Sequence, residues 1–139
     1  MSGNDRALRI LLLVFGVAGL PAFAAMLMPM AWMDAVHRWL GLGELPGGAT
    51  VEYLARSLSA FYGFFSVVCL LLAIDVAYYR RLIFFGGLLI AALGIALAGI
   101  DLTAGLPWWW TIAEGPTALV VGVAITYLAR EPTRPSGSD

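Results

Sequence analysis

Four stretches of this chain are too long and too apolar to be hidden by a water-soluble fold of 139 residues. Ile10 to Met33, Ser57 to Ile74 and Leu82 to Ile100 carry no charge, and Leu102 to Ala129 carries only Glu114. A helix needs about 20 apolar residues to cross a hydrocarbon core roughly 30 Å thick. The chain therefore reads as an all-α, polytopic membrane protein, an antiparallel bundle of four transmembrane helices over residues 1–130. Residues 131–139, rich in Pro, Ser, Gly and Thr, read as a disordered cytoplasmic tail. Charged residues make up 12% of the chain, half the share of a soluble domain. Four spans leave no room for a separate catalytic domain, so any chemistry must sit between helices or at their ends.

The spans are placed at about Leu8–Met28, Tyr53–Tyr79, Leu82–Ile100 and Trp109–Ala129. Ala22-Phe23-Ala24 resembles a signal-peptidase site, but the apolar run continues to Met33, beyond a signal peptide's core, so a retained span is expected. Tyr78, Tyr79, Tyr127 and the triplet Trp108 to Trp110 fit interfacial belts. Arg6 and Arg9 precede the first span, Arg80 and Arg81 join the second to the third, and Arg130 and Arg134 follow the fourth. The opposite side holds Asp34, Glu44, Glu52 and Asp101 against Arg38 and Arg56. The positive-inside rule then puts both termini in the cytoplasm of a bacterial inner membrane, as an even span count requires.

The longest outer loop, Met30 to Thr50, begins with a helical pattern in which Trp32, Val36, Trp39 and Leu40 share one face. Asp34 and Arg38 stand at i and i+4 on another face. A short amphipathic helix lying in the outer interface is expected. Gly41 to Gly48, with four glycines and Pro46, reads as flexible loop. The pair is either a passive connector or a lid over the outer end of the bundle.

Several function classes fall away. A net charge of −1 offers no basic face for nucleic acid. Cys69 is the only cysteine, which removes disulfide and CxxC redox chemistry within one chain. His37 is the only histidine, so two-histidine haem ligation is excluded and a zinc site would need carboxylates almost alone. No cofactor or metal is expected. No nucleophile–base constellation supports an enzyme.

Ionisable residues gather at the outer ends of the second, third and fourth spans, where charges are costly and usually face a cavity or a partner. The stretch from Gly115 to Ala129 covers only roughly 22 Å as a helix, so the fourth span must start near the Trp triplet and carry Glu114 inside. Pro116 cannot donate to the Ile112 carbonyl, so a kink or late start should free carbonyls beside Glu114. Glu52 and Arg56 are one turn apart and can pair. From them a stripe of Ser59 or Ala60, Gly63, Ser66 and Cys69 should face the bundle, with Leu70 to Leu72 toward lipid. Gly87, Ala91, Gly94 and Ala98 form a second small-residue stripe ending near Asp101, and Ala118 and Gly122 a third. An interhelical Arg56–Glu114 pair is expected, leaving Glu52 and Asp101 as surplus acids, with Tyr53, Tyr62, Thr111 and Thr117 as hydrogen-bonding neighbours. Asp75, near Arg80 and Arg81, reads as interfacial and structural.

The segment Tyr53-Leu54-Ala55-Arg56-Ser57-Leu58-Ser59-Ala60-Phe61-Tyr62-Gly63, with Glu114 high in the fourth span, resembles a set of small bacterial four-helix membrane proteins of unknown function. Those share an arginine early in the second span and a glutamate in the fourth, and often a second arginine late in the third, where this chain has Asp101. The resemblance implies a fold and no activity. Small multidrug exporters are similar in size but carry their key glutamate in the first span, where this chain has no acid.

Two uses of the outer charges stand out. One is binding a lipid headgroup or amphipathic small molecule, with Arg56, Glu114, Glu52, Asp101 and Tyr53 as polar contacts and Trp109 among the apolar walls. The other is an oligomeric proton-coupled transporter or channel, with Glu114 or Asp101 titrating, since four helices enclose little volume and a homo-oligomer would supply the pore. A structural or accessory subunit is the third reading.

Overall fold

A computed structural model describes residues 3–130 of the chain. The expected tail over residues 131–139 lies outside the described residues. Among the described residues every regular element is helical: α1 Gly3–Gly19, α2 Ala22–Leu27, α3 Met30–Trp39, α4 Ala49–Ile74, α5 Arg80–Ala104 and α6 Trp108–Ala129. Four stretches are long and apolar enough to cross a membrane: Gly3–Leu27, Ala49–Ile74, Arg80–Ala104 and Trp108–Ala129. The chain is thus an all-α, multi-pass membrane protein, and the short helix expected in the first loop is present as α3.

The first stretch is not one helix. Pro21 has no amide proton to give the Val17 carbonyl, and Leu20 bonds that oxygen instead at 3.3 Å. The helix stops, then restarts at Ala22, where the expected single span had run through. Met28 is extended, with ψ 138°, as the residue before Pro29 must be. The second span begins at Ala49 and ends at Ile74, earlier than Tyr79, because Asp75 leaves the helical region at φ −138°. The third span extends at both ends, from Arg80 to Ala104, and closes on Gly105 at φ 68°, a left-handed position that suits glycine.

The residues group into two compact units. The first comprises residues 3–8, 76–104 and 108–130, and its frame is the pair α5·α6. A Cβ placed on Gly87 would lie 2.5 Å from Thr126 Oγ1; on Gly122, 2.6 Å from the Gly87 carbonyl; on Gly94, 2.7 Å from the Gly115 carbonyl; on Gly115, 2.6 Å from the Ala98 amide nitrogen. Partners rise along one helix as they fall along the other, so the two are antiparallel with backbones in contact. Lipid gives no hydrophobic drive for helices to associate, so close van der Waals approach has to supply it. The first turn of α1 joins this unit through an ion pair between Asp5 and Arg80, both largely buried. Within its own unit Arg80 thus meets Asp5.

The second unit comprises residues 9–75 and 105–107. Here α1 and α2 run antiparallel to α4, with Gly16 against Leu70, Gly19 against Ser66 and Phe23 against Gly63. The stripe Gly63, Ser66, Cys69 and Ala73 of α4 is buried, as its small residues implied. Leu70, expected to face lipid, covers Gly16 instead. Phe23 meets Phe64 edge-on, ring centroids 5.4 Å apart.

The loop after α3 is held in place rather than loose. The Gly41 amide bonds the Arg38 carbonyl and the Leu42 amide the His37 carbonyl, with Gly41 at φ 74°. This is the glycine-terminated helix end in which a left-handed residue lets its own amide and the next one reach back. Asp34 then accepts from Arg38 at 2.5 Å and from the Leu45 amide at 2.8 Å, and His37 Nδ1 lies 3.0 Å from the Gly43 carbonyl.

Candidate functional site

The expected site residues fall into two sets, one on each unit. Glu52, Tyr53 and Arg56 share the first turns of α4. Arg56 donates through Nε to Glu52 at 3.0 Å and through Nη1 to the Met26 carbonyl at 2.7 Å. Met26 belongs to the last turn of α2, where carbonyls lack intrahelical partners and the helix dipole favours a cation. Arg56 is therefore a cap on α2, made necessary by the break at Pro21 and the turn at Pro29. That role was invisible in a sequence reading that treated the first span as continuous. Tyr53 is 68% exposed and takes no part in the Arg56 hydrogen bonds to Glu52 and Met26.

The second set lies where α5 ends and α6 begins. Trp110 Nε1 donates to Glu114 Oε2 at 2.7 Å, an i, i+4 pairing the sequence could have disclosed. Trp109 is half-buried and meets Trp110 edge-on at 5.7 Å. The helix starts at Trp108, well before Pro116, as the length of the apolar run required. The carbonyl freed by Pro116 has one partner in place: the Thr117 hydroxyl donates to the Ile112 carbonyl at 3.2 Å. Arg56 and Glu114 each find a partner inside their own unit, so burial alone does not demand the pair expected between them.

Asp101 differs from all of these. It is 3% exposed, and its Oδ2 has no hydrogen-bond partner among the described residues. The α5·α6 register, with Gly94 against Leu119 and Ala98 against Gly115, carried on by one step, sets Asp101 level with the first turn of α6. A buried oxygen without a partner forfeits its hydration, a loss of about 1–3 kcal/mol and more for a charge. Toward the arginine end the seam below Asp101 is closed by glycine contacts, and its buried residues on α5 are Gly94, Gly87 and Ile83. Among the described residues no three His, Cys, Asp or Glu side chains gather to hold a metal ion.

The sequence reading missed Asp5 and Gly115. Asp5 lies 75 positions from its partner, and no local spacing reveals such a pair. Gly115 was masked by its neighbours Glu114 and Pro116, although it stands one heptad from Gly122. Comparison of the chain with family models, curated proteins and solved structures finds no match.

Proposed function

We propose that this protein binds, rather than transforms, an amphipathic molecule such as a lipid headgroup, and that Asp101 receives the ligand's hydrogen-bond donor. The reading rests on one observation, the buried Asp101 Oδ2 without a partner. A fold that keeps such an oxygen sacrifices stability there, and ligand sites are where that sacrifice is repaid by function. Glu114, Trp109 and Trp110 on α6 supply a polar edge and apolar walls at the same end. A lipid could reach that end sideways from the bilayer. In this reading the tryptophan end is the outer side of a bacterial inner membrane, both termini are cytoplasmic, and Arg56 holds α2 rather than the ligand.

Native mass spectrometry of the gently extracted protein, with Asp101→Asn beside it, tests this. The expected result is a discrete added mass on the wild type that Asp101→Asn loses while its melting temperature stays level or rises. Loss of melting temperature in Asp101→Asn without any added mass on the wild type makes Asp101 a structural residue and ends the proposal. A clean higher oligomer without added mass, whose proton flux into vesicles Asp101→Asn abolishes, points to a proton-coupled transporter instead.

A further inference from the structure

The opposite end of the same unit carries a feature that ligand binding at Asp101 does not use. Because α5 and α6 are antiparallel, the start of one meets the end of the other. There an open groove of about 520 Å³ is lined by Arg80, Arg81, Phe84, Phe85, Ala129 and Arg130. Arg80 is committed to Asp5. Arg81 and Arg130 are exposed, and neither has an acidic partner among the described residues. Among the described residues, three guanidiniums at the mouth of the groove meet one carboxylate, Asp5, which pairs with Arg80. The end of α6 brings partial negative charge beside the partial positive start of α5, so the helix dipoles largely cancel. Attraction for an anion therefore comes from the arginines.

From this geometry we infer that the groove is a binding site for an anionic phospholipid. Arg81 and Arg130 hold the phosphate, which accepts the paired N–H groups of a guanidinium in parallel. Phe84 and Phe85, edge-on at 5.5 Å with Phe85 51% exposed, face the first methylenes of the acyl chains. A free phosphate has no use for those rings, which is why a lipid is the chosen occupant. Basic recesses between transmembrane helices at the charged boundary of a bilayer are suited to such headgroups.

Native mass spectrometry in micelles holding equal phosphatidylglycerol and phosphatidylcholine tests the inference. The wild type should retain phosphatidylglycerol in excess. The double variant Arg81→Gln with Arg130→Gln should lower that excess by roughly twenty-fivefold, each arginine near an anionic lipid being worth roughly fivefold. It should keep wild-type helicity, since the Asp5–Arg80 pair is untouched. The double variant Arg6→Gln with Arg9→Gln, which removes equal charge from exposed positions on α1, should keep the preference. Equal retention of both lipids by the wild type overturns the inference without any variant. So does an equal loss in the Arg6 and Arg9 variant, which would mean general charge attraction. Displacement of the lipid by glycerol phosphate at equal concentration would show that the acyl chains are not bound, and would also overturn it.

Discussion

The pair α5·α6 and the pair formed by α1–α2 with α4 both use glycines, but the glycines meet different things. In α5·α6 an added Cβ at Gly94, Gly115 or Gly122 runs first into main-chain nitrogen of the facing helix. On α1 and α4 it runs into the side chain of Leu70, Ser66 or Phe23. A side chain can rotate away, whereas a backbone moves only if the whole helix moves. The first contact is thus locked by main chain and the second is adjustable. That contrast matches what each region holds: a buried, unsatisfied carboxyl at one end of the locked seam, and a broken first span whose end has to be capped by Arg56 in the adjustable one.

The largest effect should come from the locked seam. Gly122→Ala places a methyl against Ala91 backbone and the Gly87 carbonyl, and relief requires α5 and α6 to separate along their length. Overfilling a tight interior costs about 3 kcal/mol at the upper end of the usual range, while alanine's better helix propensity returns about 1. A net loss of about 2 kcal/mol is expected in reversible unfolding from micelles. Gly86→Ala, on the same helix with nothing within 4 Å, should gain up to about 1 kcal/mol. Equal effects at the two positions would mean that the seam does not hold the unit together.

Much of that seam was legible before any coordinates, because Gly87, Ala91, Gly94 and Ala98 repeat at the spacing of one helix face and lipid leaves few other reasons for such a stripe. The spans were legible for the same kind of reason: the thickness of a bilayer sets a length that a run of apolar residues either meets or does not. Exceptions arose where a proline rewrote the hydrogen bonding. Pro21 broke a helix that hydropathy alone reads as continuous, and the break created the cap that occupies Arg56. Pro116 freed the Ile112 carbonyl, and the Thr117 hydroxyl, one residue on, donates to it. Asp101 stands out in the sequence as an acid near the end of a small-residue stripe, while the lack of a partner for its Oδ2 among the described residues depends on how α6 packs beside it.

A smaller effect should mark the adjustable region. Gly19→Ala directs its methyl at the Ser66 hydroxyl, which donates to the Tyr62 carbonyl at 2.7 Å. Turning that hydroxyl away gives up one hydrogen bond, a loss of about 1 kcal/mol. In a Ser66→Ala background no hydroxyl remains to displace, so Gly19→Ala should then be neutral within about 0.5 kcal/mol. Additive losses in this double-mutant cycle would show that α1 meets α4 as rigidly as α5 meets α6, and the contrast would fail.

The smallest effect separates the regions by pH. The contacts around Gly122, with Gly87, Ala91 and Thr126, involve no titrating side chain, and Asp101 lies at the far end of the seam. Among the ties between α3 and the loop after it, the one to the Leu45 amide is made by the Asp34 carboxylate. The Arg38 guanidinium and then the Leu45 amide hold Asp34 below the usual carboxylate value of 3.8. A depressed value means that the tie is fully present above 3.8 and is lost as pH falls through the lower, folded value. The NMR shift of the Leu45 amide should therefore stay constant from about pH 7 to about pH 4 and then move toward its unbonded position, with a midpoint below that of a free aspartate. The Gly122 amide should not move over the same range. Asp34→Ala should put the Leu45 amide at its unbonded position at every pH. A midpoint at or above the free value would mean that the ionised Asp34 carboxylate does not hold this loop, leaving it to the glycine turn at Gly41, the His37–Gly43 contact and the Arg38–Glu44 pair.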